Sequence, residues 1–310
     1  MTAGPPLQLS FVIPVHDEAG NLGPLHAELR RVADGLGVTY EIIFVNDGSE
    51  DDTRSRLEAL RPGDPHLRIV DLDGNFGEAA ALSAGFAHAR GAVVVTLDGD
   101  GQNDPADVPR LLARLGTEVD VVSGRRRERK EPFLTRILPS RMANWLIVRL
   151  TRVPVHDCGC GLKAYRREVV AGVQLPRGMN RFLPAILGVD PSRVREVWVN
   201  DRVRGAGGSH YGLGRTLAVV RDLLAVPLLA RRPPPALQLD RTVRRAPGAL
   251  VAGASLAILA ALARPGERRF ALECALVALL AATVGWAISY NVRRHRRARE
   301  VGVFRVRAVL

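Results

Sequence analysis

Cysteine is scarce in this 310-residue chain, which holds only Cys158, Cys160 and Cys274. Three thiols, one of them inside an apolar run, make no disulfide framework and point to a reducing compartment. Cys158 and Cys160 are spaced C-x-C with no second pair, which argues against a zinc site and for packing or turn roles. Aromatic residues are 5% of the chain, too few for the interleaved basic and aromatic surface that binds single-stranded nucleic acid. The opening MTAGPPLQLS has no basic n-region and no apolar h-region. No cleaved signal peptide is therefore expected, and the first domain is expected in the cytosol. The dinucleotide fingerprint G-x-G-x-x-G is missing after the first apolar run, where the chain reads PVHDEAGNLG. An EF-hand counted from Asp98 fails as well, because Asn103 and Pro109 stand where Gly and Glu are needed.

The chain does have positive charge, +12 net and almost all of it Arg. That excess favours a polyanionic partner: nucleic acid, anionic lipid or a phosphorylated substrate. With 47% hydrophobic and 25% charged residues, the average is globular, but the last quarter holds two long apolar stretches. Five short runs rich in Val and Ile read as strands: Leu9–Val15, Glu41–Asp47, Leu67–Leu72, Ala92–Asp98 and Val119–Gly124. Helical spacing separates them, as in Leu22, Leu25, Leu29, Val32 and Leu36. Continuous apolar strands joined by helices predict an α/β fold with a mostly parallel sheet covered on both faces. Ligands of such sheets bind beyond the carboxyl ends of the strands. His16, Asp17 and Glu18, then Asn46, Asp47, Gly48 and Ser49, then Asp98 and Asp100 occupy those ends. A buried sheet needs none of these acids for stability, so a site is expected on this rim. The Asp-x-Asp of VTLDGDGQNDP suits Mg²⁺ or Mn²⁺ held by one or two carboxylates, with substrate phosphates completing the shell.

The ordered segments IPVHDEAGNL, VNDGSEDDT, NFGEAAALSAGFAHARGAVVVTLDGDGQNDP, DCGCGLKAYRREVV and RVRGAGGSHYG resemble those of the GT-A glycosyltransferases of family 2. Within that family they are most similar to the polyprenyl-phosphate group that contains dolichol-phosphate mannose synthase. The resemblance covers roughly residues 9–231. It departs from the family pattern at Asp17 and Asn46, and at His210, where Lys is usual. It implies a GT-A (nucleotide-diphospho-sugar transferase) Rossmann-like sheet. Pro14, His16, Glu18 and Asp47 would hold the donor nucleoside, and Asp98, Asp100 and Gln102 the metal and diphosphate, with Asp98 also at the nucleotide. Arg125, Arg136 and Ser140 would lie near the acceptor phosphate, and Asp157 and Lys163 near the reacting centre. Arg204, Ser209 and His210 would face the donor diphosphate.

Elementary chemistry supports the same set. A departing diphosphate needs metal and Arg, and an oxocarbenium-like transition state is stabilised by an incoming anion. A hydroxyl acceptor needs a general base, for which Asp157 is the candidate; Asp157 could equally orient Lys163 or an Arg. A lipid monophosphate needs cations instead, and SGRRRERKEP (Ser123–Pro132) supplies them at the end of the fifth strand.

Farther on, LGRTLAVVRDLLAVPLLARR reads as an interfacial helix, or else as an ordinary core helix. Ala249–Ala263 and Phe270–Tyr290 read as a membrane hairpin flanked by Arg clusters, the second long enough to span and the first weaker. The expected organisation is a catalytic domain over 1–212, a juxtamembrane helix and linker over 213–245, two transmembrane helices over 246–292 and a basic cytosolic tail over 293–310. The expected protein is a multi-pass enzyme of the cytoplasmic membrane, its site facing the cytosol. Its partners would be a nucleotide-diphosphate sugar, polyprenyl phosphate and membrane lipid, not nucleic acid; a homo-oligomer is left open. The alternatives are transfer to a sugar hydroxyl in polysaccharide synthesis and, more remotely, a membrane-tethered polyanion-binding protein.

Overall fold

The computed structural model describes residues 7–127, 145, 148–149, 153–202 and 268–310. Among these, eight strands form one sheet in the order β7-β5-β6-β4-β1-β2-β3-β8. They are β1 (Leu9–Val15), β2 (Tyr40–Asn46), β3 (Leu67–Leu72), β4 (Val93–Thr96), β5 (Val121–Arg126), β6 (Lys163–Arg166), β7 (Val194–Val199) and β8 (Val306–Val309). β1 pairs parallel with β2 and β4, β2 with β3, and β5 with β7. β6 runs antiparallel between β4 and β5, so Lys163 at its start lies on the same rim as the ends of β4 and β5.

All seven residues of β1 and of β2 are buried, as a sheet covered on both faces requires. Successive side chains alternate between two cores. Val12, Ile43, Val45 and Val70 join the core under helix α3 (Glu78–His88). Phe11, Ile13, Ile42, Phe44 and Ile69 face α1 (Leu22–Leu36), α2 (Thr53–Leu60) and α4 (Val108–Leu112). Helix α1 presents the predicted stripe Leu22, Leu25 and Leu29 and stops at Gly37, whose left-handed φ of 64° ends the helix. In α3 every residue from Ala79 to Phe86 is buried, so small side chains let the helix lie close on the sheet.

The C-terminal part departs from expectation. Phe270–Tyr290 lies within a 34-residue helix, Arg268–Val301. Among the described residues no helix is long and apolar enough to cross a membrane. Arg268 and Arg269 open this helix, Glu273 and Thr283 interrupt its apolar run, and Arg293, Arg294, Arg296, Arg297 and Arg299 fill its last turns. The expected hairpin is not confirmed and a multi-pass topology is not supported; its first arm, 249–263, and the predicted interfacial helix lie outside the described residues. The chain's last residues form β8, which pairs antiparallel with β3 and closes that edge of the sheet.

Candidate active site

The rim is built from short turns whose polar groups are mutually satisfied. After β1, Asp17 takes a left-handed φ of 55°, a conformation that Asp and Asn tolerate. Its backbone N–H donates to Ser49 Oγ at 3.0 Å, and its Oδ1 accepts from Glu50 N at 2.8 Å and Asp51 N at 3.3 Å. Glu18 N donates to Thr53 Oγ1 at 2.9 Å, so the turn after β1 is tied to the turn after β2. Gly48 has a φ of 64°, and a Cβ there would strike the backbone of Gly74 and Asn75; only glycine closes that turn.

Asp47 is buried, and its two carboxylate oxygens accept from Phe76 N and Gly77 N, each at 2.8 Å. Burial raises its pKa, against the pull of those two N–H groups and of His16 and Arg177. The imidazole of His16 meets the Asn75 amide at 2.8 Å, and Arg177 reaches the Asn75 carbonyl oxygen at 3.2 Å. Pro14, still within β1, pairs with Val45 and contributes backbone rather than side-chain chemistry.

Beyond β4 lies the Asp-x-Asp loop. Asp98 N donates to Asn103 Oδ1 at 2.9 Å, and Asp100 Oδ1 accepts from Gln102 N at 3.0 Å. Arg202 holds this loop from the other side. Its N–H donates to the Gln102 carbonyl at 3.0 Å, and its guanidinium reaches Asp104 and Glu28, both at 2.7 Å. The Asp98 carboxylate lies against Gly161, where any Cβ would collide with it. Burial pushes the Asp98 carboxyl up to about 8, helped by Glu78 and Asp100 and opposed by Lys163 and Arg126. Crowded, half-buried acids at a strand end fit a hard divalent cation held by one or two carboxylates, the rest of its shell coming from substrate. Among the described residues no group of three or more His, Cys, Asp or Glu forms a complete metal cage.

Cations face this loop from β5 and β6. Arg126 Nε donates to Asp157 Oδ2 at 2.8 Å and Nη2 to Oδ1 at 3.0 Å, a fork-to-fork pair. Lys163 is buried and donates to the carbonyls of Cys160 and Cys158. The Cys158 and Cys160 thiols are pushed up to about 12 by burial, as inert packing residues are. Arg125, one residue earlier on β5, turns to the opposite face, 4.3 Å over the Trp198 ring and 3.9 Å from Glu196. The expectation chose Arg125, but it is Arg126 that faces Asp157, because successive side chains of a strand point to opposite faces. Glu78, Arg126, Gly161 and Arg202 were not singled out from the sequence. Arg136, Ser140, Arg204, Ser209 and His210 lie outside the described residues.

The profile of glycosyl transferase family 2 matches residues 10–173. A dodecaprenyl-phosphate galacturonate synthase of Rhizobium johnstonii is 42% identical over 230 residues, 73% of this chain and 68% of that protein. An undecaprenyl-phosphate 4-deoxy-4-formamido-L-arabinose transferase of Shewanella sediminis is 36% identical over 217 residues, 70% and 65% of the two chains. The chain thus spans about two thirds of the length of these relatives. Among solved structures, the glucosyl-3-phosphoglycerate synthase of Mycobacterium tuberculosis with Mn²⁺, UDP-glucose and glycerol 3-phosphate superimposes with a TM-score of 0.57. At 23% identity, over 74% of this chain and 82% of that one, this likeness shows a shared fold. The family match takes in the acidic turns after β1, β2 and β4 together with Lys163, and on it this chain belongs to glycosyl transferase family 2 and is a glycosyltransferase.

Proposed function

We propose that this enzyme moves a sugar from a nucleotide-diphosphate donor to a polyprenyl phosphate, with inversion at the anomeric carbon. The observation that carries the reading is the opposition, on one rim, of the acids Asp98 and Asp100 to the cations Arg126 and Lys163. Both relatives described above are named for sugar transfer to a polyprenyl phosphate, which supports the acceptor class. Asp98 and Asp100, with Gln102, would hold Mg²⁺ or Mn²⁺, which neutralises a departing diphosphate when bound; the related fold carries Mn²⁺ beside UDP-glucose. The nucleoside would lie over His16, Glu18 and Asp47. Arg204, Ser209 and His210 would serve the diphosphate side; Arg202, before them in the sequence, is anchored to the Asp-x-Asp loop.

A phosphate oxygen of the acceptor forms the new bond to the anomeric carbon as that carbon's bond to the diphosphate breaks. No proton needs removing, because the phosphate is already an anion. Asp157 does not need to serve as a base: both its oxygens accept from Arg126, and that fork fixes the orientation of the guanidinium. That geometry disfavours transfer to a sugar hydroxyl. Arg136 and Ser140 would complete the proposed acceptor side, which Arg125, turned to Trp198 and Glu196, does not face.

The helix Arg268–Val301 leaves Leu276, Val277, Leu279, Leu280 and Trp286 from 58% to 71% exposed. Trp286 stacks on Tyr290. An apolar patch of that size with an aromatic pair at one end fits contact with a lipid bilayer, and we assign membrane association to it. Purified protein with Mn²⁺ or Mg²⁺, labelled nucleotide sugars and undecaprenyl phosphate tests the reaction. Label is expected in the organic phase only with lipid, metal and intact Asp100. Consumption of donor only when a glycan hydroxyl is offered would overturn the acceptor assignment.

A further inference from the structure

The departure at Asn46, where the family pattern has Asp, has a partner in the fold. Asn46 ends β2 and is buried; its Nδ2 donates to Asp71 Oδ1 at 2.7 Å. Asp71, in β3, has no exposed surface, and its Oδ2 lies 3.1 Å from Arg54 Nη1 and 3.5 Å from Arg307 Nη1. A carboxylate only accepts hydrogen bonds, so it turns the nitrogen of the Asn46 amide toward itself and the oxygen away. That oxygen accepts from Ser49 N at 3.2 Å and Ser49 Oγ at 2.6 Å. Ser49 Oγ in turn accepts from Asp17 N at 3.0 Å, at the left-handed residue beside His16. An Asp at 46 would place two carboxylates at hydrogen-bond distance in a buried site, which is strongly unfavourable unless one is protonated. Arg307 belongs to β8, and Arg305 just before that strand meets Asp73 at 3.1 Å, so the basic tail is fastened by two acids at the end of β3.

We infer that Asp71 and Asn46 are positioning residues for the nucleotide side of the site, linking the C-terminal strand through Ser49 to the turn that carries His16 and Glu18. Asn46 is thereby the complement of Asp71 rather than a lost site acid. The consequence for donor binding rests on the proposed placement of the nucleoside at this turn.

Exchanging the two residues tests the link. Four variants, Asn46→Asp, Asp71→Asn, the double Asn46→Asp/Asp71→Asn and Arg307→Ala, are compared with the unaltered chain. Binding of UDP with Mn²⁺ is measured by calorimetry, and hydrogen exchange is followed in residues 15–21 and 47–53. Asn46→Asp is expected to weaken UDP binding about tenfold and to lose protection in both turns, with β4 unchanged. The double variant restores both to within about threefold, since the amide now on β3 donates to the carboxylate now on β2, which still accepts from Ser49. Arg307→Ala gives a smaller loss in the same segments. Should Asn46→Asp not fold, Ser49→Ala cuts the chain downstream of the buried pair and is expected to deprotect residues 15–21 alone. Wild-type behaviour of Asn46→Asp, of Ser49→Ala if it stands in, or a double variant as impaired as the single, would overturn the inference. If the unaltered chain takes up no UDP with Mn²⁺, the nucleotide assignment fails, and hydrogen exchange alone decides whether the turns are linked.

Discussion

The two sides of the rim use their acids differently. On the β1–β2 side, carboxylates are occupied by backbone N–H groups: Asp17 by Glu50 and Asp51, Asp47 by Phe76 and Gly77, and Asp51 by Ala19 and Thr53. Apart from the bond from Thr53, these join turns 29 to 34 residues apart in sequence and hold those turns against one another. On the β4–β6 side, charge meets charge: Asp98 beside Glu78, Asp100, Lys163 and Arg126, and Arg126 on Asp157. On the proposed reading, acids of the first kind would shape a surface for a neutral heterocycle. Acids and bases of the second kind are prepared for a ligand that brings its own charges, as a metal diphosphate and a phosphate do.

The sharpest way to break this contrast is at Asp98 and Gly161. Asp98→Asn removes a crowded acid, and Gly161→Ala drives a methyl group into the Asp98 carboxylate. Both are expected to lower kcat by about 10²–10³-fold in the lipid-labelling assay, the scale of losing one transition-state electrostatic contact. Their hydrogen-exchange protection in the β1–β2 turns should match the unaltered chain.

Arg126→Ala comes next. It leaves a largely buried Asp157 without its fork and is expected to cost about 3–5 kcal/mol of stability, read by denaturant unfolding. Arg126→Lys keeps the charge and should recover part of that loss but little of the activity, because an ammonium cannot make the bidentate bond.

Asp47→Asn acts on the other side and more mildly. The amide keeps one acceptor and sets an N–H against an N–H, so about 1–2 kcal/mol of stability is expected to go. Donor KM should rise more than kcat falls.

The smallest effect sharpens the contrast with a pair remote from the rim. Glu41 is buried, which by itself raises its pKa, but hydrogen bonds from Ser10, Arg90 and Arg68 bring it net below the ordinary carboxylate range. Its contribution is therefore present above the unfolded-state pKa and is lost as pH falls through the depressed folded value. Acid unfolding of Glu41→Gln should show a shallower loss of stability across that interval, with catalysis near neutral pH unchanged.

Much of this architecture was legible in the chain. Leu9–Val15 and Leu67–Leu72 are strands with the predicted bounds, and of the expected α1 stripe Leu22, Leu25 and Leu29 are buried while Val32 and Leu36 are half-buried. β2, β4 and β5 differ by one or two residues at each end, where pairing partners rather than composition decide termination. β6 and β7 were not foreseen: β6 sits antiparallel between two strands distant in sequence, and β7 pairs with β5 across about seventy residues. The tail GVFRVRAVL does alternate Val and Ala with Arg, the period of a strand, but its Arg content suggested a solvated end. Only the acids Asp71 on β3 and Asp73 just after it show why those arginines belong there.

The sequence by itself determined the α/β class, the mostly parallel character of the sheet and the acids at the strand ends, because these depend on local periodicity and on turn chemistry. Tertiary structure alone decided that Arg126 and not Arg125 joins Asp157, that Gly161 makes room for Asp98, and that Asn46 answers Asp71. Each of those depends on which face of a strand meets which neighbour, and such pairings are set by the packing of segments far apart along the chain.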